Sequence, residues 1–264
     1  MEVIIRPDPA AAARLAAQVI GKALRAKPHL VLGLATGHTM EAVYADLVRL
    51  HQEAGLDFSL CRTFNLDEYI GIPPADERSY RYYMDQHLFH RVNIDPRNTH
   101  LPDGMARDLQ AACREYEASM AECGGIGLQL LGIGSDGHIG FNEPLSALRS
   151  RTREKALTPA TRRQNARYFG GDPAQVPARA LTMGVGTILE AQRLLFVATG
   201  ESKAAIVAKA VEGPITAMVS ASALQLHPHC TVIVDEAAAA QLQEQEYYRW
   251  LFANEPEWAA FRGE

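Results

Sequence analysis

The chain holds only four cysteines, Cys61, Cys113, Cys123 and Cys230, and no two of them form a C-x-x-C pair. That excludes a disulfide framework or a cysteine-rich zinc site and fits reduced, structural thiols. The stretch LHPHC brings His227, His229 and Cys230 together. Ligands at adjacent strand positions point to opposite faces, however, and these lack partners of matching spacing, so no metal site is expected there. Long hydrophobic runs are also missing. The opening MEVIIRPDPA sets a short apolar run among Glu2, Arg6 and Asp8, too short and too charged for a signal peptide or a membrane span. A cytoplasmic protein is expected. Positive charge is not in excess either: the formal net charge is -5, against the basic balance of a nucleic-acid surface. No Ser/Gly linker, low-complexity tract or solenoid period interrupts the chain.

What is present is an alternation. Short β-rich runs at 2–5, 29–35, 61–66, 126–133, 193–199 and 230–235 stand between helical patterns at 11–24, 40–50 and 204–211. The strands are apolar nearly throughout, which implies a parallel sheet covered on both faces. With 264 residues, 47% of them hydrophobic, the expectation is α/β: one doubly wound domain over residues 1–264, with a mostly parallel central sheet.

The stretch LGIGSDGHIGFNEP (131–144) spells G-x-G-x-x-G at Gly132, Gly134 and Gly137, the spacing of a dinucleotide-binding turn. Such a turn needs a helix opening at the third glycine. Gly140 and Pro144 leave that helix no room, and Asp136 would face a pyrophosphate. The loop carries instead an acid, an imidazole and another acid: Asp136, His138 and Glu143.

An echo joins LGLATGHTMEAV (32–43) to LFVATGESKAAIV (195–207), where a strand runs through Ala-Thr-Gly into a helix. Gly37 and Gly200 permit the tight turns, and Thr36, Thr39 and Ser202 with free helix N–H groups make two anion seats. Lys203 opens the second helix, where the dipole favours an acid; a bound anion accounts for it. In TFNLDEYIGIP (63–73) a strand ends in the adjacent acids Asp67 and Glu68. In open α/β sheets ligands bind at the carboxyl ends of strands, the edge to which all these loops belong. Between Arg149 and Arg167 seven basic residues meet one acid. Most of these are expected to be solvated surface, but one basic island in an acidic chain points to a small anion.

Six segments, TFNLDEYIG (63–71), GIGSDGHIGFNEP (132–144), SRTR (150–153), NARYF (165–169), LTMGVGTIL (181–189) and LQLHP (224–228), together resemble the glucosamine-6-phosphate deaminase (isomerase) family over nearly the whole chain. The resemblance implies conversion of glucosamine 6-phosphate and water to fructose 6-phosphate and ammonia in amino-sugar catabolism, with no metal or organic cofactor. It makes Asp67 the base between C2 and C1 and assigns ring opening to His138, supported by Asp136 and Glu143. The phosphate would meet Thr36, Gly37, His38, Thr39, Arg167 and Lys203. Where the family commonly has Pro-Thr-Gly-Gly-Thr-Pro, this chain has Ala35, His38 and Met40 at the proline, second-glycine and final-proline positions.

The resemblance extends to a homo-oligomer, a hexamer favoured, with an allosteric N-acetylglucosamine 6-phosphate site at Ser146, Arg153 and Lys155. Tyr247 and Tyr248 stay unassigned because the tail EQEYYRWLF departs from the family pattern. Two rivals remain. A 6-phosphogluconolactonase would not need a base at Asp67, and a non-catalytic sugar-phosphate sensor of the transcription-regulator kind lacks a DNA-binding extension in this length.

Overall fold

A computed structural model describes residues 1–262. In chain order the elements are β1 (Glu2–Arg6), α1 (Pro9–Ala26), β2 (Val31–Leu34), α2 (His38–Ala54), β3 (Arg62–Asn65), β4 (Asp67–Tyr69), α3 (Tyr80–His87), β5 (Thr99–His100), α4 (Leu109–Glu122) and β6 (Leu128–Leu131). After a long helix-free stretch come β7 (Arg153–Ala156), α5 (Pro159–Asn165), β8 (Arg179–Thr182), α6 (Val185–Leu189), β9 (Leu194–Ala198), α7 (Ala204–Val211), β10 (Cys230–Asp235), α8 (Glu236–Ala239) and α9 (Gln245–Asn254). Among the described residues no helix is long and apolar enough to cross a membrane.

Seven strands form one sheet in the order β1-β10-β9-β6-β2-β3-β5, with every pairing parallel. Every residue of β2, β6, β9 and β10 is buried. Both faces are therefore covered, as apolar strands without alternation require. Capping is local: Asp8 accepts from the Ala11 N–H at 2.7 Å to start α1, and Asp235 accepts from Ala238 to start α8.

Four strands escaped the sequence reading, and three of them build a second sheet. In the order β4-β8-β7 it is antiparallel, and Asp67 pairs with Thr182 and Arg153 with that same threonine. The sequences of the missed strands explain why. β7 reads REKA with burial alternating between half-buried and exposed, β4 is the acidic DEY, and β5 has two residues. None offers the apolar run that marks a strand. The basic island is correspondingly only in part helical, since Arg153 and Lys155 stand on β7.

β4 follows β3 after one residue, and Leu66 ties the two sheets: its N–H donates to Leu34 O at 3.0 Å, and its carbonyl accepts from Met183 N at 2.7 Å. β4 is also pressed by the loop at 101–107, where a Cβ added at Gly104 would lie 2.1 Å from the Tyr69 carbonyl oxygen. Gly104→Ala is therefore expected to cost about 1–3 kcal/mol, because a rigid backbone must yield. Thermal unfolding measures it; an unchanged Tm would show that the loop recedes freely.

Candidate functional site

The loops leaving β9, β6, β2 and β3, four adjacent strands of the parallel sheet, converge on a cavity of about 770 Å³. Its walls include the 36–39 turn, Asp67, His138, Arg167, Ser202 and Lys203. This is the crevice beyond the strand carboxyl ends where open α/β sheets bind ligands.

Asp67 is the first residue of β4 and is only 6% exposed. Burial, and after it the charge of Glu68, pushes its carboxyl up to about 8, while His138 pulls the other way. Gly140 stands against it: at φ +53°, an added Cβ would lie 2.9 Å from Thr182 Oγ1 and 3.5 Å from Asp67 Oδ2. Its neighbour Glu68 has another job. The pleat sends it away from the cavity, where its carboxylate accepts from the Tyr69, Tyr80 and Arg81 N–H groups at 2.8, 3.0 and 2.9 Å. Glu68 thus anchors the start of α3, and the adjacent acids of the sequence part into a cavity residue and a fold residue.

His138 is 8% exposed, with Nδ1 2.6 Å from Asp136 Oδ1 and 3.6 Å from Glu143 Oε2. Burial opposes its charge, but the two carboxylates outweigh burial and hold the imidazole up to about 9. Asp136 is held far below the usual carboxylate range, the imidazolium prevailing over the cost of its partial burial. The glycines serve this histidine. A Cβ at Gly134 would fall 2.3 Å from the imidazole, so the ring lies over bare backbone, and Gly137 turns at φ +90°. No helix follows Gly137; the G-x-G-x-x-G spacing makes room for an imidazole.

Asp136, His138 and Glu143 have ligating atoms within 4.8 Å of one another, a donor set chemically fit for a cation. The 2.6 Å contact of Nδ1 with Asp136 is closer than two ligands approach around a metal, about 3 Å for bonds near 2 Å. The triad is packed as an ion pair. Glu143 is 2% exposed and also accepts from Thr158 N at 2.9 Å and Thr158 Oγ1 at 3.3 Å, the residue that caps α5. His227, by contrast, has both ring nitrogens engaged, Nε2 with Ala191 O at 2.8 Å and Nδ1 accepting from His229 N at 3.0 Å. That leaves it no atom for a metal.

The two Ala-Thr-Gly turns lie side by side, joined by Thr39 Oγ1 and Thr199 Oγ1 at 3.5 Å, with Gly37 at φ +116° and Gly200 at φ +91°. The Gly200 N–H is held by Asp235, at 3.0 Å to one carboxylate oxygen and 3.1 Å to the other. Lys203 closes a short 3-10 turn just before α7, and its Nζ donates to Ile133 O at 2.8 Å. Burial, the largest effect, and Arg167 lower its pKa, and Asp136 raises it. Arg167 stacks on the Tyr168 ring at 4.7 Å and donates to its hydroxyl at 2.9 Å. His38, the first residue of α2, has its side chain 76% exposed and Nδ1 3.3 Å from Glu41 Oε2.

Ser146, Arg153 and Lys155 are not on the cavity wall. Ser146 is 2% exposed, and both its Oγ and Arg153 Nη2 are buried without a hydrogen-bond partner. Arg153 Nη1 donates to Asn142 Oδ1 at 2.9 Å. The basic island is mostly solvated surface, as expected, with Arg149, Arg151, Arg163 and Arg167 exposed, although Arg151 bridges Glu117 and Glu190 and Arg162 donates to the Val176 and Ala174 carbonyls.

An aromatic wall was missed by the sequence reading. Tyr69 packs on Tyr80 and Phe141 at centroid distances of 4.8 and 5.6 Å, and Tyr83 Oη donates to Gly37 O at 2.9 Å. The tyrosine-rich SYRYYMDQH at 79–87 was the available signal.

A parallel α/β sheet thus carries two Ala-Thr-Gly turns and an acid–imidazole pair around one cavity at its carboxyl edge, the place where ligand-binding α/β proteins hold their ligands. The chain belongs to the family described as glucosamine-6-phosphate isomerases/6-phosphogluconolactonase, whose profile matches residues 9–233. It is 51% identical over 258 residues to the glucosamine-6-phosphate deaminase of Arthrobacter sp. (strain FB24), covering 98% of this chain and 99% of that one. The deaminase of Hahella chejuensis is 51% identical over 251 residues, 95% of each chain. A solved structure of a monomeric glucosamine-6-phosphate deaminase superposes with a TM-score of 0.89 at 44% identity, covering 91% of this chain and all of that one. The 6-phosphogluconolactonase from Trypanosoma cruzi, with a TM-score of 0.73 at 20% identity over 92% of this chain and 97% of that one, shares the fold.

Proposed function

We propose that this protein is a glucosamine-6-phosphate deaminase, converting glucosamine 6-phosphate and water to fructose 6-phosphate and ammonia in the cytoplasm without metal or organic cofactor. The observation that carries the reading is a desolvated carboxyl, Asp67, and a carboxylate-held imidazole, His138, facing the cavity that Arg167 and Lys203 also line. The reading takes residues 1–264 as one domain, and the cavity is walled by β4 of the smaller sheet together with loops that leave the larger one.

The roles follow from chemistry. Opening the pyranose needs a proton at the ring oxygen and removal of one from the C1 hydroxyl. With Nδ1 against Asp136, His138 keeps Nε2 for the substrate and, charged at neutral pH, gives up the proton first. Glu143 and Asp136 hold its orientation. Ionised Asp67 then takes the C2 proton of the open chain and returns it at C1. A carboxylate shielded from water is a stronger base than one in solution. The C2 imine so formed adds water and expels ammonia. Thr36, Gly37, His38, Thr39, Arg167 and Lys203 bind the phosphate and fix C1–C2 beside Asp67.

Asp67→Asn preserves size and removes basicity. It is expected to abolish ammonia release and exchange of the C2 proton with solvent while sugar-phosphate binding persists. His138→Gln should slow turnover of the closed pyranose by roughly 10²–10⁴-fold and spare an open-chain analogue. Undiminished exchange in Asp67→Asn would remove the base from this position.

For assembly and control, we propose that Ser146, Arg153 and Lys155 form a second sugar-phosphate seat, for N-acetylglucosamine 6-phosphate, in an oligomer, a hexamer favoured. The buried, unpartnered Ser146 Oγ and Arg153 Nη2 support a seat there. Arg153 also reaches Asn142, next to Glu143. The solved relative described as monomeric makes mass the first measurement. Light scattering should give an oligomer whose sigmoidal substrate curve shifts left with the acetylated sugar, a coupling of about 1–3 kcal/mol. A monomer with a hyperbolic, unresponsive curve would dismiss both.

A further inference from the structure

Nothing packs against the 36–39 turn at its sharpest point. Gly37 stands at φ +116°, and a Cβ built on it would meet no atom within 4 Å. Glycine leaves such a conformation as readily as it enters it, and no side chain caps α2, which starts at the next residue. What keeps the turn in shape is hydrogen bonding to its carbonyls. Gly37 O accepts from Met40 N at 2.9 Å within the chain and from Tyr83 Oη, on α3, at 2.9 Å from outside it. Ala35 O, just before the turn, accepts from Tyr44 Oη at 2.5 Å.

The phenol of Tyr83 directs more than the carbonyl it touches. A trans peptide sends its C=O and the N–H of the next residue in opposite directions. Fixing the Gly37 carbonyl therefore also fixes the direction of the His38 N–H, which, as the first of α2, has no acceptor within the helix. Tyr83 is itself held in place. Its ring lies 4.3 Å from that of His87 and meets Tyr44 edge-on at 6.5 Å, and burial raises the phenol so that it keeps the proton it donates. One turn earlier, α3 is anchored by Glu68 through the Tyr80 and Arg81 N–H groups. Glu68 follows Asp67 in β4, so α3 ties the turn to the strand that carries Asp67.

We propose that Tyr83 is a positioning residue for the substrate phosphate: its hydroxyl holds the Gly37 peptide in the conformation that receives the anion. This rests on the reading above that the 36–39 turn, Arg167 and Lys203 hold the phosphate. Without the hydroxyl, Gly37 samples other conformations, only a fraction of the free protein is ready to bind, and affinity falls by that fraction. A bound phosphate re-forms the turn, so the chemical step proceeds as before.

The test compares the wild type, Tyr83→Phe and Lys203→Ala. Tyr83→Phe keeps the ring and its contacts with His87 and Tyr44. It should raise KM for glucosamine 6-phosphate and the inhibition constant of inorganic phosphate by a similar factor, about two to ten, the worth of one neutral hydrogen bond, with kcat near that of the wild type. The free protein supplies the second readout. Exchange of the Met40 amide, which is bonded to Gly37 O, should be faster in Tyr83→Phe, and saturating fructose 6-phosphate should close the difference. A raised KM with unchanged Met40 exchange would mean that the hydroxyl meets the substrate directly, and a fall in kcat without a rise in the phosphate constant would mean a general loosening; either overturns the positioning role. Wild-type constants in Tyr83→Phe, while Lys203→Ala raises both, would overturn it and leave the phosphate seat standing. If Lys203→Ala also keeps the wild-type constants, the seat is wrong and the role of Tyr83 falls with it.

Discussion

The site depends on one carboxyl group kept from water. Asp67 begins a strand that starts a single residue after β3 ends, so the backbone must bend from the parallel sheet into the antiparallel one at that residue. The bend is fixed on both sides, by Leu66 between Leu34 and Met183 and by the pairing with Thr182. A carboxyl carried there cannot retreat to solvent. Holding it up to about 8 corresponds to a penalty on the order of 5 kcal/mol against ionisation, which the rest of the fold must supply. In return the ionised form of the group is a stronger base than a carboxylate in water.

His138 shows the opposite use of the same environment. It is nearly as buried, yet two carboxylates keep it charged. Two titratable groups in one cavity are thus both raised, by opposite causes: burial makes the acid more basic, and the neighbouring carboxylates keep the imidazole protonated. Glu143 extends this arrangement to α5 by capping contacts with Thr158. The helix α5, which leads into the turn that holds Arg167, therefore begins at a carboxylate that also faces the imidazole.

The parallel sheet was legible because its strands, such as LLFVA and CTVIVD, are apolar throughout and separated by amphipathic helices. Asp67, His138 and the Ala-Thr-Gly turns were legible because charged and glycine-rich loops stood at the ends of those strands. The second sheet was not. REKA pairs with β8 by backbone register and a Glu154–Arg179 ion pair, and it carries no apolar pattern. The division of labour between Asp67 and Glu68 was hidden too, since only the pleat of β4 decides which acid sees the cavity. Nor could spacing reveal that Gly134 exists to admit an imidazole, because a steric allowance becomes visible only when the ring is in place.

The state of Asp67 is open to direct observation. In protein labelled with carbon-13 at the aspartate side-chain carboxyls, one resonance, assigned by its loss in Asp67→Asn, should titrate at about 8. Aspartates such as Asp76, held down to about 2 by its hydrogen bonds with Arg78, should finish far lower. A resonance for Asp67 that titrates in the ordinary carboxylate range, below about 5, would contradict the claim that a desolvated carboxyl is the centre of this site.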